Sequence, residues 1–227
     1  MRVSVVIPTL NEEKNILNCL RSIEKQSVKP YEIIVSDGSS EDRTLELVKK
    51  FSKSCKIPIR IVVSKRRSPS IQRQKGAEVA RGDIVAFIDA DSIANEHWIK
   101  KIVEEFKDKR VVGVYGEVIV PRPYRTLSMI FNIYMKISSH ISPSPSGMNI
   151  AVRNEILKRE NFDESLITCE EIDLFHRLKK YGKIKFIESK VQTSSRRIKK
   201  WGILRFFIFH LLNVLRYNIA KSPSRSY

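Results

Sequence analysis

Glycine and proline are scarce, 8 and 9 of 227 residues, so the chain is neither collagenous nor a low-complexity linker. Cysteine is scarcer still. Cys19, Cys55 and Cys169 are odd in number, far apart and without a CxxC pair, which argues against a disulfide framework and a structural zinc site and fits reduced thiols. Neither GxGxxG nor GxxxxGK[ST] occurs, which counts against a dinucleotide-binding Rossmann domain and a P-loop enzyme. The opening apolar run, residues 1–8, is too short for a signal peptide and lacks a small-residue cleavage site, so a cytoplasmic location is expected. From residue 190 onward acidic residues are missing altogether, while nine basic ones occur (Lys190, Arg196, Arg197, Lys199, Lys200, Arg205, Arg216, Lys221 and Arg225).

What is present is an ordinary globular composition, 42% hydrophobic, enough to bury one core. The formal charge of +17 calls for a partner. Nucleic acid is the first candidate, but no zinc-finger spacing or aromatic ribonucleoprotein box accompanies the charge, and no nucleic-acid partner is expected. The basic excess is concentrated instead in the tail, which carries about half of it.

Four short Val/Ile-rich runs, residues 3–7, 32–36, 59–63 and 84–88, alternate with stretches of helical period. This is the pattern of βαβ units and a parallel sheet with right-handed crossovers. Asn11 is expected to cap a first helix whose opening turn holds Glu12 and Glu13 and whose inner face is Ile16, Leu17, Leu20 and Ile23. Ser39 or Ser40 should cap a second with Leu45, Val48 and Phe51 inward, and a third should run over about 70–81 and stop at Gly82 as a C′ glycine. Trp98, Ile99, Ile102, Val103 and Phe106 read as the core stripe of a further helix.

Ligands of open α/β sheets bind beyond the carboxyl ends of the strands. Those turns are Pro8-Thr9-Leu10-Asn11-Glu12, Asp37-Gly38-Ser39-Ser40 and Asp89-Ala90-Asp91. Two aspartates flanking one small residue at a strand end repel each other, and a divalent cation removes that cost; Mg²⁺ or Mn²⁺ would share its oxygen ligands with substrate phosphates. A solvated loop that happens to hold two aspartates is the bland alternative.

Taken in order, the turns resemble those of a family 2 glycosyltransferase. The first strand and turn are similar to the family's opening segment, and EIIVSDGSSEDRT at 32–44 resembles its "IIVVDDGSTDGT", with Asp37 at the nucleoside-contacting aspartate and Gly38 in place of the second. Arg73-Gln74-Lys75-Gly76 and the run from Ala80 to Asp91 resemble the segment ending in the metal motif, and Ser146 to Arg153 resembles the sugar-site segment "G.nmafRr". Glu170-Glu171-Ile172-Asp173-Leu174 then matches the "gEDvdL" segment.

The resemblance implies an α/β GT-A fold, Rossmann-like and mostly parallel, with residues 1–115 as nucleotide-binding half, 116–195 as acceptor half and 196–227 as a basic amphipathic tail. It implies an inverting, metal-dependent transfer from a nucleoside-diphosphate sugar. The donor site would comprise Pro8, Thr9, Asn11, Glu12, Asp37, Arg73, Asp89, Ala90, Asp91, Gly147, Arg196 and Arg197, with Asp89 and Asp91 on Mg²⁺ or Mn²⁺. The general base would be Glu171, at the position of the family's aspartate, or its neighbour Glu170. Without the resemblance, the two glutamates could equally be first-turn charges favoured by the helix dipole.

Residues 201–219 are densely apolar but contain Arg205 and Arg216, which fits a helix lying in an anionic membrane interface better than a spanning one. Packing on the domain or in a homodimer is the alternative. Lys65-Arg66-Arg67 reads as a solvated charge run, the four histidines show no metal spacing, and residues 122–146 hold a further apolar stretch, Leu127 to Tyr134, whose continuation as a helix Pro143 and Pro145 rule out. The leading expectation is transfer to a lipid-linked or glycan acceptor at the inner face of the cell membrane. The rivals are an inactive GT-A fold serving as a basic membrane- or nucleic-acid-binding module, and a sugar-nucleotide pyrophosphorylase, whose glycine-rich first turn is missing.

Overall fold

The structure, a computed structural model, describes residues 1–139, 143–166, 168–206, 208–209 and 212–213. Strands and helices alternate through the first part: β1 (Val3–Thr9), α1 (Ile16–Glu24), β2 (Glu32–Asp37), α2 (Thr44–Ser52), β3 (Ile59–Val63), α3 (Pro69–Val79) and β4 (Ile84–Phe87). A two-residue strand, β5 (Ile93–Ala94), precedes α4 (Trp98–Glu105), β6 (Val111–Ile119) and α5 (Arg125–Ser138). Then come β7 (Ile150–Arg153), α6 (Asn154–Glu160), α7 (Glu170–Leu178), β8 (Lys183–Gln192) and α8 (Arg196–Trp201).

All eight strands form one sheet in the order β3-β2-β1-β4-β7-β6-β8-β5. The first four are mutually parallel, β7 runs antiparallel to both β4 and β6, and β6 and β8 are parallel again. The two-residue side-chain period splits the core between the two faces. Val5 and Ile7 of β1 join Ile16, Leu20, Ile23, Ile99 and Ile102 on one side, and Val6 joins Ile34, Phe87, Tyr115 and Phe175 on the other. Fully burying one such side chain contributes roughly 1.5–3 kcal/mol, so a slip of one residue in β1 would be costly on both faces. Trp98 is fully buried, as its stripe predicts, and its Nε1–H donates to Asn149 Oδ1 at 2.8 Å.

Three helix-end expectations fail. Asn11 does not cap α1; it adopts a positive φ of 53° and its Oδ1 accepts from the Glu41 N–H at 2.8 Å, so Glu12 and Glu13 lie before the helix. Ser39 and Ser40 do not cap α2, which starts at Thr44; Asp42 Oδ1 accepts from the Thr44 N–H at 2.9 Å instead. In both places the polar side chains tie two neighbouring loops together across the sheet edge. Gly82 is not a C′ glycine either, since α3 ends at Val79 and Ala80 is already extended. A Cβ on Gly82 would lie 2.6 Å from the Ser4 backbone nitrogen, so close approach to β1 is what requires glycine there.

Candidate functional site

The turns after β1, β2 and β4 meet at one edge of the sheet because their strands are parallel and adjacent. Pro8 and Thr9 lie in register with Ser36 and Asp37, and the Gly38 N–H donates to Thr9 O at 2.8 Å. Asp37 is completely buried. Its two carboxylate oxygens accept from the Ser40 N–H (2.7 Å) and the Ser40 hydroxyl (2.5 Å), and that hydroxyl also accepts from the Asn11 N–H at 2.8 Å. The first and second turns are thereby fastened to each other through Ser40, a residue whose part in the site sequence reasoning missed because the contact spans 29 positions.

Arg73, on α3, reaches the same edge from below. The residue is 4% exposed, and its guanidinium donates through Nη2 to Asp89 Oδ1 at 2.8 Å and through Nη1 to Glu170 Oε1. The fork of one arginine thus joins the metal-motif loop to the first residue of α7. Gly147 lies directly against it. A Cβ there would sit 2.5 Å from Nη2, and a guanidinium held by two carboxylates has no room to yield. The sequence resemblance placed Arg73 near the donor; the structure commits these two nitrogens to protein carboxylates.

The two adjacent glutamates have different surroundings. Glu170 is buried and ion-paired to Arg73. Burial, with the neighbouring Glu171 charge, pushes its carboxyl well above the usual range, and Arg73 pulls the other way. Glu171 lies beside it, a side-chain hydrogen bond between the two carboxyls helping to raise Glu170; its Oε1 accepts from the Gly147 N–H at 3.2 Å, and its Oε2 is buried with no amine, amide or hydroxyl donor among the described residues. Both occupy the first turn of α7, where the helix dipole favours negative charge.

On the open side, Asp91 lies beside Glu12 and Asp89. Burial and those two like charges push its carboxyl up to about 6, opposed by Arg196 and Arg197. Arg196 donates to Glu12 Oε1 at 2.6 Å and stands 3.7 Å from Asp91 Oδ2. Its position is set by β5, whose Ile93 pairs with Gln192 at the end of β8 and so carries the start of α8 to the metal motif. The Arg197 guanidinium lies over the Trp201 ring at 5.9 Å. Ala90 is buried between the aspartates, and Cys19 Sγ approaches the Asp89 carbonyl oxygen at 3.6 Å.

A divalent cation suits this donor set. Asp89 and Asp91 supply hard carboxylate oxygens in a place with surplus negative charge, which Arg196 now partly offsets. Among the described residues no group of three His, Cys, Asp or Glu side chains is arranged to hold a metal ion. A cation here would therefore draw its other ligands from substrate phosphate and water, as Mg²⁺ commonly does.

The remaining candidates fall outside the site. Arg66 and Arg67 are exposed but pair with Glu164 and Glu41, so the basic run after β3 is tied down at two points instead of being simply solvated. His97 contacts Ser27 and Glu96 at the surface. His140 and His210 lie outside the described residues, as do Phe207, Leu211, Leu215 and the tail from residue 214.

Residues 4–159 match the family model of Glycosyl transferase family 2, more than half of the chain, and the protein belongs to that family. It is 28% identical over 163 residues to glycosyltransferase AglE of Haloferax volcanii, covering 69% of this chain and 54% of the relative. It is 30% identical over 122 residues to the Methanococcus voltae dolichyl N-acetyl-alpha-D-glucosaminyl phosphate 3-beta-D-2,3-diacetamido-2,3-dideoxy-beta-D-glucuronosyltransferase, covering 50% of this chain and 38% of that one. The chain thus spans about half the length of the first relative and less of the second. Among solved structures, the mannosyltransferase PcManGT of Pyrobaculum calidifontis, in complex with GDP-Man and Mn²⁺, superposes with a TM-score of 0.74 at 21% identity, covering 93% of this chain and 64% of that one. The expected α/β fold, a mostly parallel sheet flanked by helices in the GT-A manner, is the fold observed.

Proposed function

We propose that the protein transfers a sugar from a nucleoside diphosphate to an acceptor hydroxyl with inversion, and that Glu171 is the general base. The observation that carries this reading is the unequal treatment of two adjacent glutamates. Arg73 engages Glu170 inside the protein, whereas Glu171 keeps one oxygen on the Gly147 N–H and the other buried with no amine, amide or hydroxyl donor among the described residues. A buried carboxylate oxygen lacking a hydrogen bond is expensive. An acceptor hydroxyl arriving there would meet that need, and Glu171 would take its proton as the oxygen attacks the anomeric carbon.

Asp89 and Asp91 would hold the divalent cation, Mg²⁺ or Mn²⁺, whose chemistry is to offset charge on the departing diphosphate. Pro8, Thr9, Asn11, Glu12 and Asp37 would form the nucleoside side of the site. At the open rim, Arg196 would turn from Glu12 and Asp91, and Arg197 from the Trp201 ring, toward the diphosphate once the donor is present. A lipid-linked acceptor is favoured by the dolichyl phosphate substrate in the name of the Methanococcus voltae relative and by the nine basic residues from 190 onward. Peripheral attachment to the inner face of the membrane would follow, and no described helix is long and apolar enough to cross a membrane.

Thermal-shift titration with UDP-, GDP- and dTDP-sugars tests the donor half of this reading. One of them should raise Tm in the presence of Mn²⁺ and much less after chelation, and Asp91→Ala should remove the metal-dependent part while leaving the apo melt cooperative. An Asp91→Ala protein that keeps the full metal-dependent rise in Tm would overturn the metal assignment.

A further inference from the structure

Helix α5 packs on β6 through Ser128, Phe131, Asn132 and Met135; the Asn132 side chain bonds both the N–H and the carbonyl of Val118, at 2.9 Å each. Its opposite face is apolar and open. Met129, Ile130, Ile133, Tyr134 and Ile137 recur at helical spacing, and each is 51–65% exposed. A soluble helix of this length ordinarily presents charge on that face. Here the only charges on α5 are Arg125 and Lys136, the latter 3.2 Å from Glu188.

The sequence around the helix decides what fits it. Between Glu117 and Glu155 there is no acidic residue, while Arg122, Arg125, Lys136 and Arg153 are present. β6 and β8 are parallel and end together, the Thr193 N–H donating to Ile119 O at 2.9 Å. The acid-free stretch after residue 190 therefore leaves the sheet beside the start of the segment that leads into α5. A second copy packed face to face would bring Arg122 and Arg125 against the same cations, and the carboxylate beside this face, Glu188, is already paired with Lys136. An apolar stripe rimmed by cations complements a surface that is apolar inside and anionic outside.

We infer that the exposed face of α5 docks on an anionic phospholipid bilayer, with Ile130, Ile133 and Ile137 entering the boundary between headgroups and acyl chains and Arg122 and Arg125 meeting the headgroup phosphates. This deepens the membrane-acceptor reading above and rests on it for its purpose, but it concerns lipid binding and not sugar transfer. The docking element is a helix of the folded body, separate from the C-terminal tail.

Flotation of the full chain with vesicles of phosphatidylcholine alone, and of equal parts phosphatidylcholine and phosphatidylglycerol, tests it. The protein should float with the anionic vesicles, less so at high salt. Ile130→Ser/Ile133→Ser/Ile137→Ser should weaken partition by at least about tenfold with Tm unchanged or raised, because these side chains are already in water in the free protein. Lys199→Glu/Lys200→Glu serves as the tail control. If only the tail control loses binding, docking through α5 is overturned while membrane attachment stands; if the wild type floats with neither vesicle, both fall. Conversion of a wild-type dimer to a monomer by the triple substitution, without loss of flotation, would assign the face to self-association and overturn the proposal. Should the triple variant melt early, Tyr134→Trp replaces it: brominated lipid should quench its added fluorescence, and no quenching beyond that of Trp98 and Trp201 would overturn the proposal.

Discussion

Two arginines each hold a pair of carboxylates at the same edge of the sheet, and they do so in opposite surroundings. The Arg73 side chain is 5% exposed, between Asp89 and Glu170; that of Arg196 is 58% exposed, between Glu12 and Asp91. A buried ion pair has given up its hydration, so taking away one partner leaves a charge with nothing around it. An exposed pair can exchange its partner for water at little cost. The first arginine is therefore a fixed joint between the Asp89 loop and α7, and the second is, on the reading proposed above, a cation that a substrate phosphate or a metal ion would displace. Proximity to a site does not by itself make an arginine a substrate ligand; burial separates the two roles.

Removing the fixed joint should have the largest effect. Arg73→Met is expected to cost about 3–5 kcal/mol of stability, read as a lower urea midpoint, and to abolish transfer even where the protein remains folded. Introducing Glu170→Leu together with Arg73→Met should recover much of the stability and none of the activity. A stable and active Arg73→Met enzyme would erase the distinction between the two arginines.

Glu171→Gln comes next. Turnover should fall by roughly 10²–10⁴-fold with donor affinity and Tm nearly unchanged, whereas Glu170→Gln should chiefly lower stability. The reverse result would move the base to Glu170 and make the Arg73 pair part of the chemistry. The smallest effect is expected at Arg196→Met, less than about 1 kcal/mol in stability, with the loss appearing in donor affinity at saturating metal. An Arg196→Met protein with unchanged donor affinity would leave that arginine a surface ion pair only.

Much of this was legible beforehand, and particular residues show why the rest was not. The runs at 3–7, 32–36 and 84–88 became β1, β2 and β4 because a buried parallel strand is almost wholly apolar, a property visible in any window of a few residues, and the half-exposed edge strand β3 at 59–63 shows the same Val/Ile signal around Arg60. Glu170 and Glu171 open a helix, as the pattern that follows them demands. Asn11, Ser39 and Ser40 were misassigned because the same side chains that suit a helix cap also suit a loop-to-loop hydrogen bond, and only the neighbouring turn decides between them. The apolar stripe of α5 was visible as a run, but its exposure was not, since periodicity gives the width of a face and not what covers it.

The sequence by itself determined the alternation of strands and helices, and with it the parallel sheet whose carboxyl edge must carry the site, because hydrophobic period and strand order are local properties of the chain. It also determined which residue types reach that edge: Asp37, Asp89, Asp91 and the two glutamates follow their strands or open their helix wherever the sheet forms. Only the tertiary structure decided which glutamate is paired to an arginine, which arginine is buried and which stands at the surface. Those roles depend on burial and on contacts such as Arg73 to Glu170, 97 positions apart, and Arg196 to Glu12, 184 apart. The electrostatic environment of a charged group is set by everything packed around it, and no spacing along the chain encodes that.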